Sequence, residues 1–327
     1  MRKVKMWKKT KWLGLPIVLV LSFFAVKLFV FSFDETKESK VFREAFHDTY
    51  RIFPPQLPED LKFAGEEVPV NDIDIHERLD REIIVNTYWQ SNTLLSIKLA
   101  HRYFPVIEPI LKEEGVPDDF KYLALIESGF RPAVSPLGAA GFWQFLEQTA
   151  PDYGMEVSSE VDERYNLEMA THAACRYLKE ARNKFGSWTM AAASYNRGMQ
   201  GIQNQVDLQK NNNYYDLYLN EETSRYVFRM LAMRELYTDP EKYGFMIRPS
   251  DFYPPIKTEK ITVDTTINNL VDFALAHHIK YKTLKLLNPW LKKSSMANPK
   301  RKTYTISLPA KIQANRPFFT TTYRDSI

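Results

Sequence analysis

The chain has 327 residues, 44% hydrophobic and 26% charged, a balance that excludes a disordered protein and leaves room for one or two globular domains. Its net charge of +4 is local, because Arg2, Lys3, Lys5, Lys8, Lys9 and Lys11 alone exceed it; the remainder is close to neutral and gives no general case for nucleic-acid binding. Cys175 is the single cysteine, which excludes an intrachain disulfide framework and any zinc site built on several thiolates.

Behind the basic cluster runs Trp12 to Phe33, apolar except for Lys27. As a helix these 22 residues rise about 33 Å, enough to cross a hydrocarbon core of roughly 30 Å. Lys27 lies near the end of the span, where its stem can snorkel toward the interface. Positive charge before the span, with Asp34 and Glu35 after it, predicts a cytoplasmic N-terminus and an extracytoplasmic remainder. A cleaved signal peptide is the competing reading, but no small-x-small cleavage site is evident after the apolar run. With no cysteine following the run, a lipoprotein anchor is not expected.

Residues 34–76 carry Pro54, Pro55, Pro58, Pro69 and the acidic pair Glu66–Glu67, and are expected to form a linker. From residue 77 to 252 the pattern is helical. Leu94 to Ala100 and Ile107 to Leu111 form apolar stretches that Gly115 and Pro117 interrupt. Ala170, Ala173, Ala174, Tyr177, Leu178, Ala181 and Phe185 make a stripe at spacings of three and four. Trp188 to Tyr195, stopping at Gly198, and Thr223 to Leu236 are two further predicted helices. After Tyr253 the texture changes. Ile261 and Val263, then Tyr304, Ile306 and Leu308, predict short strands flanking helical material over residues 258–310, with an irregular tail at 311–327.

Within the helical region Tyr122 to Ile126 are all apolar or aromatic, so their helix should be buried on nearly every face. Glu127 stands at its end, before the stop formed by Gly129 and Pro132. Desolvation and the negative end of the helix dipole both raise the pKa of such a carboxyl. A carboxylic acid held protonated near neutrality can donate a proton to a leaving group. An exposed glutamate at a helix end fits the local sequence equally well. Just downstream, Gly138, Ala139, Ala140 and Gly141 remove side-chain bulk and let a ligand approach the backbone. Trp143 and Phe145 offer apolar faces, while Ser135 and Gln144 offer hydrogen bonds. Sugars ask for that mixture, although a packed turn has the same composition. Asp152, Glu156, Asp162 and Glu163 are possible second carboxylates, with surface or structural roles as the default. The six histidines are scattered, with His277–His278 expected at a helix end; neither a metal nor a cofactor is expected, and Cys175 reads as a buried inert thiol.

The run ESGFRPAVSPLGAAGFWQF from Glu127 to Phe145 resembles the catalytic motif of the lysozyme-like lytic transglycosylases. Thr149–Ala150, Gly154, Asp162, Arg164 and Ala173 to Leu178 continue the resemblance, as do Ala193-Ser194-Tyr195-Asn196-Arg197-Gly198 and Glu222–Thr223 with Tyr226–Val227. It covers about residues 95–240, and the upstream helices and the C-terminal module look most like the membrane-bound lytic murein transglycosylase D group. It implies a mainly α protein: an all-helical lysozyme-like catalytic domain at 77–252, anchored in the inner membrane and acting on periplasmic peptidoglycan strands. Glu127 falls on the family's catalytic acid, and Ser135, Gly141, Gln144 and Phe145 on the sugar-binding stretch. Tyr195 falls on a tyrosine that contacts the catalytic carboxyl, Asn196 completes its motif, and Tyr226 lies on the closing helix. Arg197 stands where alanine is commoner. A hydrolase of the same fold and an inactive wall-binding scaffold are the alternatives.

Residues 258–310 resemble a LysM repeat, a βααβ unit whose family binds N-acetylglucosamine-containing glycans. Val263 replaces the usual glycine before Asp264–Thr265, and Lys300-Arg301-Lys302 replaces the glycine of the second turn. A glycan-binding module and a structural appendage are both compatible with this pattern.

Overall fold

A computed structural model describes residues 54–310. The predicted membrane span at 12–33, the first part of the expected linker and the tail at 311–327 lie outside the described residues. Among the described residues no helix is long and apolar enough to cross a membrane.

The described chain is mainly helical, as expected. Asp72 caps α1 (Ile73–Tyr88), its carboxylate accepting from the N–H groups of Asp74 at 2.9 Å and Ile75 at 3.2 Å. Trp89 forms the joint to α2 (Gln90–Glu114), which Gly115 ends at φ 68°. The short α3 (Lys121–Ser128) is buried from Lys121 to Leu125 and carries Glu127 in its last turn. The predicted alanine stripe lies on α4 (Leu167–Phe185), where Ala170, Ala173, Ala174 and Ala181 are fully buried. It packs against α5 (Trp188–Arg197), whose Ala191, Ala192 and Ala193 are fully buried too; small side chains on both helices permit a close approach. Then come α6 (Met199–Gln209) and α7 (Glu221–Thr238), the latter packed on α1, α3 and α5. No periodic pattern predicts α6, because Ile202 is its sole fully buried side chain and no apolar stripe forms.

The expected linker needs correction. Lys62–Phe63 (β1) and Glu66–Glu67 (β2) form an antiparallel hairpin whose turn residues Ala64 and Gly65 both have positive φ. Around it Leu61, Phe63, Val68 and Val70 are buried in the main core, with Phe63 edge-on to Phe120 at 5.4 Å. Strands of two residues are too short to carry a readable alternation. Glu66 caps α5, accepting from the N–H groups of Trp188 at 2.6 Å and Thr189 at 2.9 Å and from the Thr189 hydroxyl at 2.6 Å.

The C-terminal module has the expected order: β3 (Thr258–Val263), α8 (Leu270–Ala276), α9 (Tyr281–Leu287) and β4 (Tyr304–Pro309), with β3 and β4 antiparallel. Arg301 occupies the missing glycine's turn at φ 53° and pairs with Asp264 at 2.9 Å. The module's core also includes residues of the helical domain: Ala140, Val161 and Tyr165 join Leu270, Leu284, Trp290 and Ile306. Backbone bonds stitch the seam, from Asp162 N–H to the Trp290 carbonyl (2.9 Å) and from Lys292 N–H to the Glu160 carbonyl (2.7 Å). Glu156 accepts from Lys302 at 2.8 Å and from the Tyr304 hydroxyl at 2.9 Å, and Glu163 also meets Lys302. These carboxylates therefore bind the module.

Candidate active site

The last turn of α3 opens into a cleft of about 810 Å³, walled by α1, the start of α2 and the exposed side of α7. Glu127 is half-buried at its floor. The helix ends there because Gly129 takes φ 56° and returns its N–H to the Leu125 carbonyl at 2.8 Å. Burial pushes the Glu127 carboxyl above its ordinary value of 4.5, and neighbouring Glu222 adds to the rise. A hydrogen bond from the Tyr226 hydroxyl and the positive charge of Arg229 oppose it without cancelling it. Tyr226 is fully buried, and that burial, with the adjacent carboxyl, holds its phenol far above the usual range. It is thus a fixed donor to Oε1, which leaves Oε2 to carry a proton.

The residue in contact with the carboxyl is therefore Tyr226, where Tyr195 was expected. The Tyr195 hydroxyl donates instead to the Trp143 carbonyl at 2.8 Å. Trp143 and Phe145 are core residues, not exposed sugar faces. Trp143 is fully buried with its indole N–H on the Thr171 hydroxyl, and Phe145 packs edge-on to Tyr195. Ser135 accepts the Ala139 N–H at 3.0 Å, and the Gln144 amide donates to the Ala133 and Gly141 carbonyls. Both shape the loop. Gly141 is needed for a close approach to the Arg164 backbone, not to a ligand. Asn196 ties α5 to α7 through Glu222 at 2.9 Å and the Thr223 hydroxyl at 2.7 Å. Of the site residues read from the sequence, Glu127 is the one that lines this cleft.

What the others do is hold Glu127's surroundings in place. Ser128 donates to the Phe142 carbonyl at 2.9 Å and accepts the Phe130 N–H, which fixes the end of α3 to the loop. Arg164 clamps the same loop from behind. Its guanidinium reaches the Gly138 and Phe145 carbonyls while making a two-pronged, buried salt bridge to Asp162.

Residues 104–218 match the sequence model of the transglycosylase SLT domain, and residues 259–312 that of the soluble lytic transglycosylase C-terminal LysM-like domain. That middle segment is thus similar to SLT domains. It is also 27% identical, over 244 residues, to the membrane-bound lytic murein transglycosylase D of Escherichia coli strain K12 and to that of strain O6:H1 (CFT073). The match covers 72% of this chain and 52% of each relative, so it spans about half the length of those proteins.

Much of the cleft was not legible in the sequence. The Glu82 carboxylate, on α1, is buried (1% exposed) and sits 2.5 Å from the Arg225 Nε of α7, with Arg81 at 3.7 Å. The two partners are 143 residues apart, which no local pattern reveals. Arg225→Ala should therefore destabilise the fold by about 3 kcal/mol, since it leaves the buried carboxylate with only the longer contact to Arg81. Urea unfolding checks this, and adding Glu82→Gln to Arg225→Ala should restore part of the loss.

Proposed function

We propose that this protein is a peptidoglycan lytic transglycosylase that cleaves the β-1,4 bond between N-acetylmuramic acid and N-acetylglucosamine, with Glu127 as its single acid and base. The observation that carries the reading is a carboxyl with a raised pKa, held by a buried tyrosine at the floor of a cleft and lying within the segment that matches the SLT model. Protonated Glu127 gives its proton to the glycosidic oxygen as the bond to the muramic C1 breaks. The carboxylate then takes the proton of the muramic C6 hydroxyl, whose oxygen closes on C1 as a 1,6-anhydro ring. One carboxylate completes the cycle, in contrast to the paired carboxylates of most glycosidases.

Support for a single acid comes from the other carboxylates. Asp162 is committed to Arg164, and Glu156 and Glu163 to Lys302; neither they nor Asp152 line the cleft. Glu82, Glu221 and Glu222 do line it, but Glu82 is held by Arg225, Glu221 by Arg81 and Arg225, and Glu222 accepts from the Asn196 amide. Product analysis on purified sacculi decides. Mass spectrometry should find anhydro-terminated muropeptides, and reducing ends would overturn the assignment in favour of a hydrolase.

The placement we infer is a single-pass inner-membrane anchor at residues 12–33 with the enzyme in the periplasm, supported by the charge flanking the span and by the membrane-bound relatives. The LysM-like module serves to brace the Arg164 clamp, a role its seam with Asp162 supports.

Because the acid must start protonated, activity follows the protonated fraction of Glu127. The raised pKa places the basic limb of kcat/KM above the ordinary carboxylate value of 4.5. Activity should hold below that limb and fall as pH rises through it. A profile without such a limb would count against the acid role.

A further inference from the structure

Trp89 is the one aromatic side chain among the described residues lining the Glu127 cleft, and it is 59% exposed. Its backbone is firmly fixed. The N–H bonds the Val85 carbonyl at 2.9 Å, and the carbonyl accepts from the N–H groups of Asn92 at 3.0 Å and Thr93 at 3.1 Å. The Thr93 hydroxyl closes the joint on the Asn86 carbonyl at 2.5 Å. Among the described residues the indole stacks on no other ring and its N–H has no partner. Beside it on the cleft wall, the Asn92 side-chain amide is half-buried and also without a partner among the described residues. A flat apolar face next to unused amide groups, held on a rigid helix joint, matches a pyranose ring: CH groups on one face, hydroxyl and acetamido groups at the rim.

We infer that Trp89 and Asn92 form a saccharide subsite on the α1–α2 wall of the cleft, with Trp89 stacking on a pyranose ring and Asn92 binding its polar substituents. The inference rests on the glycan reading above and extends it to a part of the chain upstream of the matched SLT segment, which begins at residue 104. It also supplies what Trp143 and Phe145 cannot, since both are buried. Val85, 40% exposed, continues the apolar strip along the same wall.

The test uses the full chain in detergent, with Glu127→Gln in the background so that the ligand is not consumed. The probe is a peptide-free hexasaccharide of alternating N-acetylglucosamine and N-acetylmuramic acid, titrated calorimetrically. Trp89→Ala should weaken binding about tenfold, a change within the usual range for one aromatic contact. Asn92→Ala should weaken it as well, by less, and Trp89→Phe should keep most of the affinity because it keeps a stacking face. Unchanged affinity in Trp89→Ala overturns the subsite, as does Trp89→Phe binding as weakly as Trp89→Ala. Loss of adhesion to lipid vesicles in Trp89→Ala, with glycan affinity intact, would also overturn it and reassign the exposed corner that includes Leu94 and Leu95. A background protein that binds no hexasaccharide would sink the glycan reading itself, a failure distinct from an insensitive Trp89.

Discussion

Glu127→Gln is expected to lower kcat/KM on sacculi by about three orders of magnitude, the middle of the range for removing a general acid. The glutamine keeps the shape and can still accept from the Tyr226 hydroxyl, so the loss isolates the proton. The same variant should melt at a higher temperature near neutral pH. A carboxyl whose pKa is raised by burial contributes stability below its ordinary value of 4.5 and loses it as pH rises through the shifted one; above that, its charge opposes folding. Glutamine removes the charge, so the gain should be present at pH 7 and fade in acid. Tyr226→Phe separates the partner from the acid. The lost hydrogen bond favoured the carboxylate, so the pKa should rise further and the basic limb of kcat/KM should move to higher pH. Equal activity of Glu127→Gln and wild type would place the chemistry elsewhere.

The acid was legible because its cause is local. Five apolar residues before Glu127 imply a buried helix, and Gly129 implies that it stops there; both features are found. The βααβ order of the module was legible for a similar reason, since apolar residues alternate at Ile261 and Val263 and at Tyr304, Ile306 and Leu308. Contacts between distant elements were not. Tyr195 and Tyr226 both come from helices near Glu127, and which hydroxyl reaches the carboxyl depends on how α5 and α7 pack. An aromatic in a glycine-rich loop reads alike whether it faces water or the core, so Trp143 looked like a sugar platform although it is fully buried. Trp89 drew no attention, because exposure at a helix joint leaves no periodic trace. Glu66 looked like linker charge because the helix end it caps lies 122 residues away.

Gly141→Ala tests whether the loop beside Glu127 is held by that packing. An added Cβ would lie 1.8 Å from the Arg164 carbonyl oxygen and 2.4 Å from its carbon, and both are backbone atoms that cannot swing aside. Gly141 also has φ 81°, where alanine is strained. Gly138 provides the control, for it has the same φ of 81° but nothing within 4 Å of the added carbon. Gly138→Ala should cost about 1 kcal/mol for the backbone alone, whereas Gly141→Ala should cost about 3 kcal/mol or more once the overlap is added. Urea unfolding of the two variants measures the difference. The overlap pushes on Arg164, which ties the Gly138 and Phe145 carbonyls to Asp162, and Asp162 is bonded in turn to Trp290 of the module. Gly141→Ala should consequently loosen the module seam as well, seen as faster amide exchange at Asp162 and Lys292. Equal destabilisation by the two alanines would mean that the loop yields freely, and the bracing role assigned to the module would fall with it.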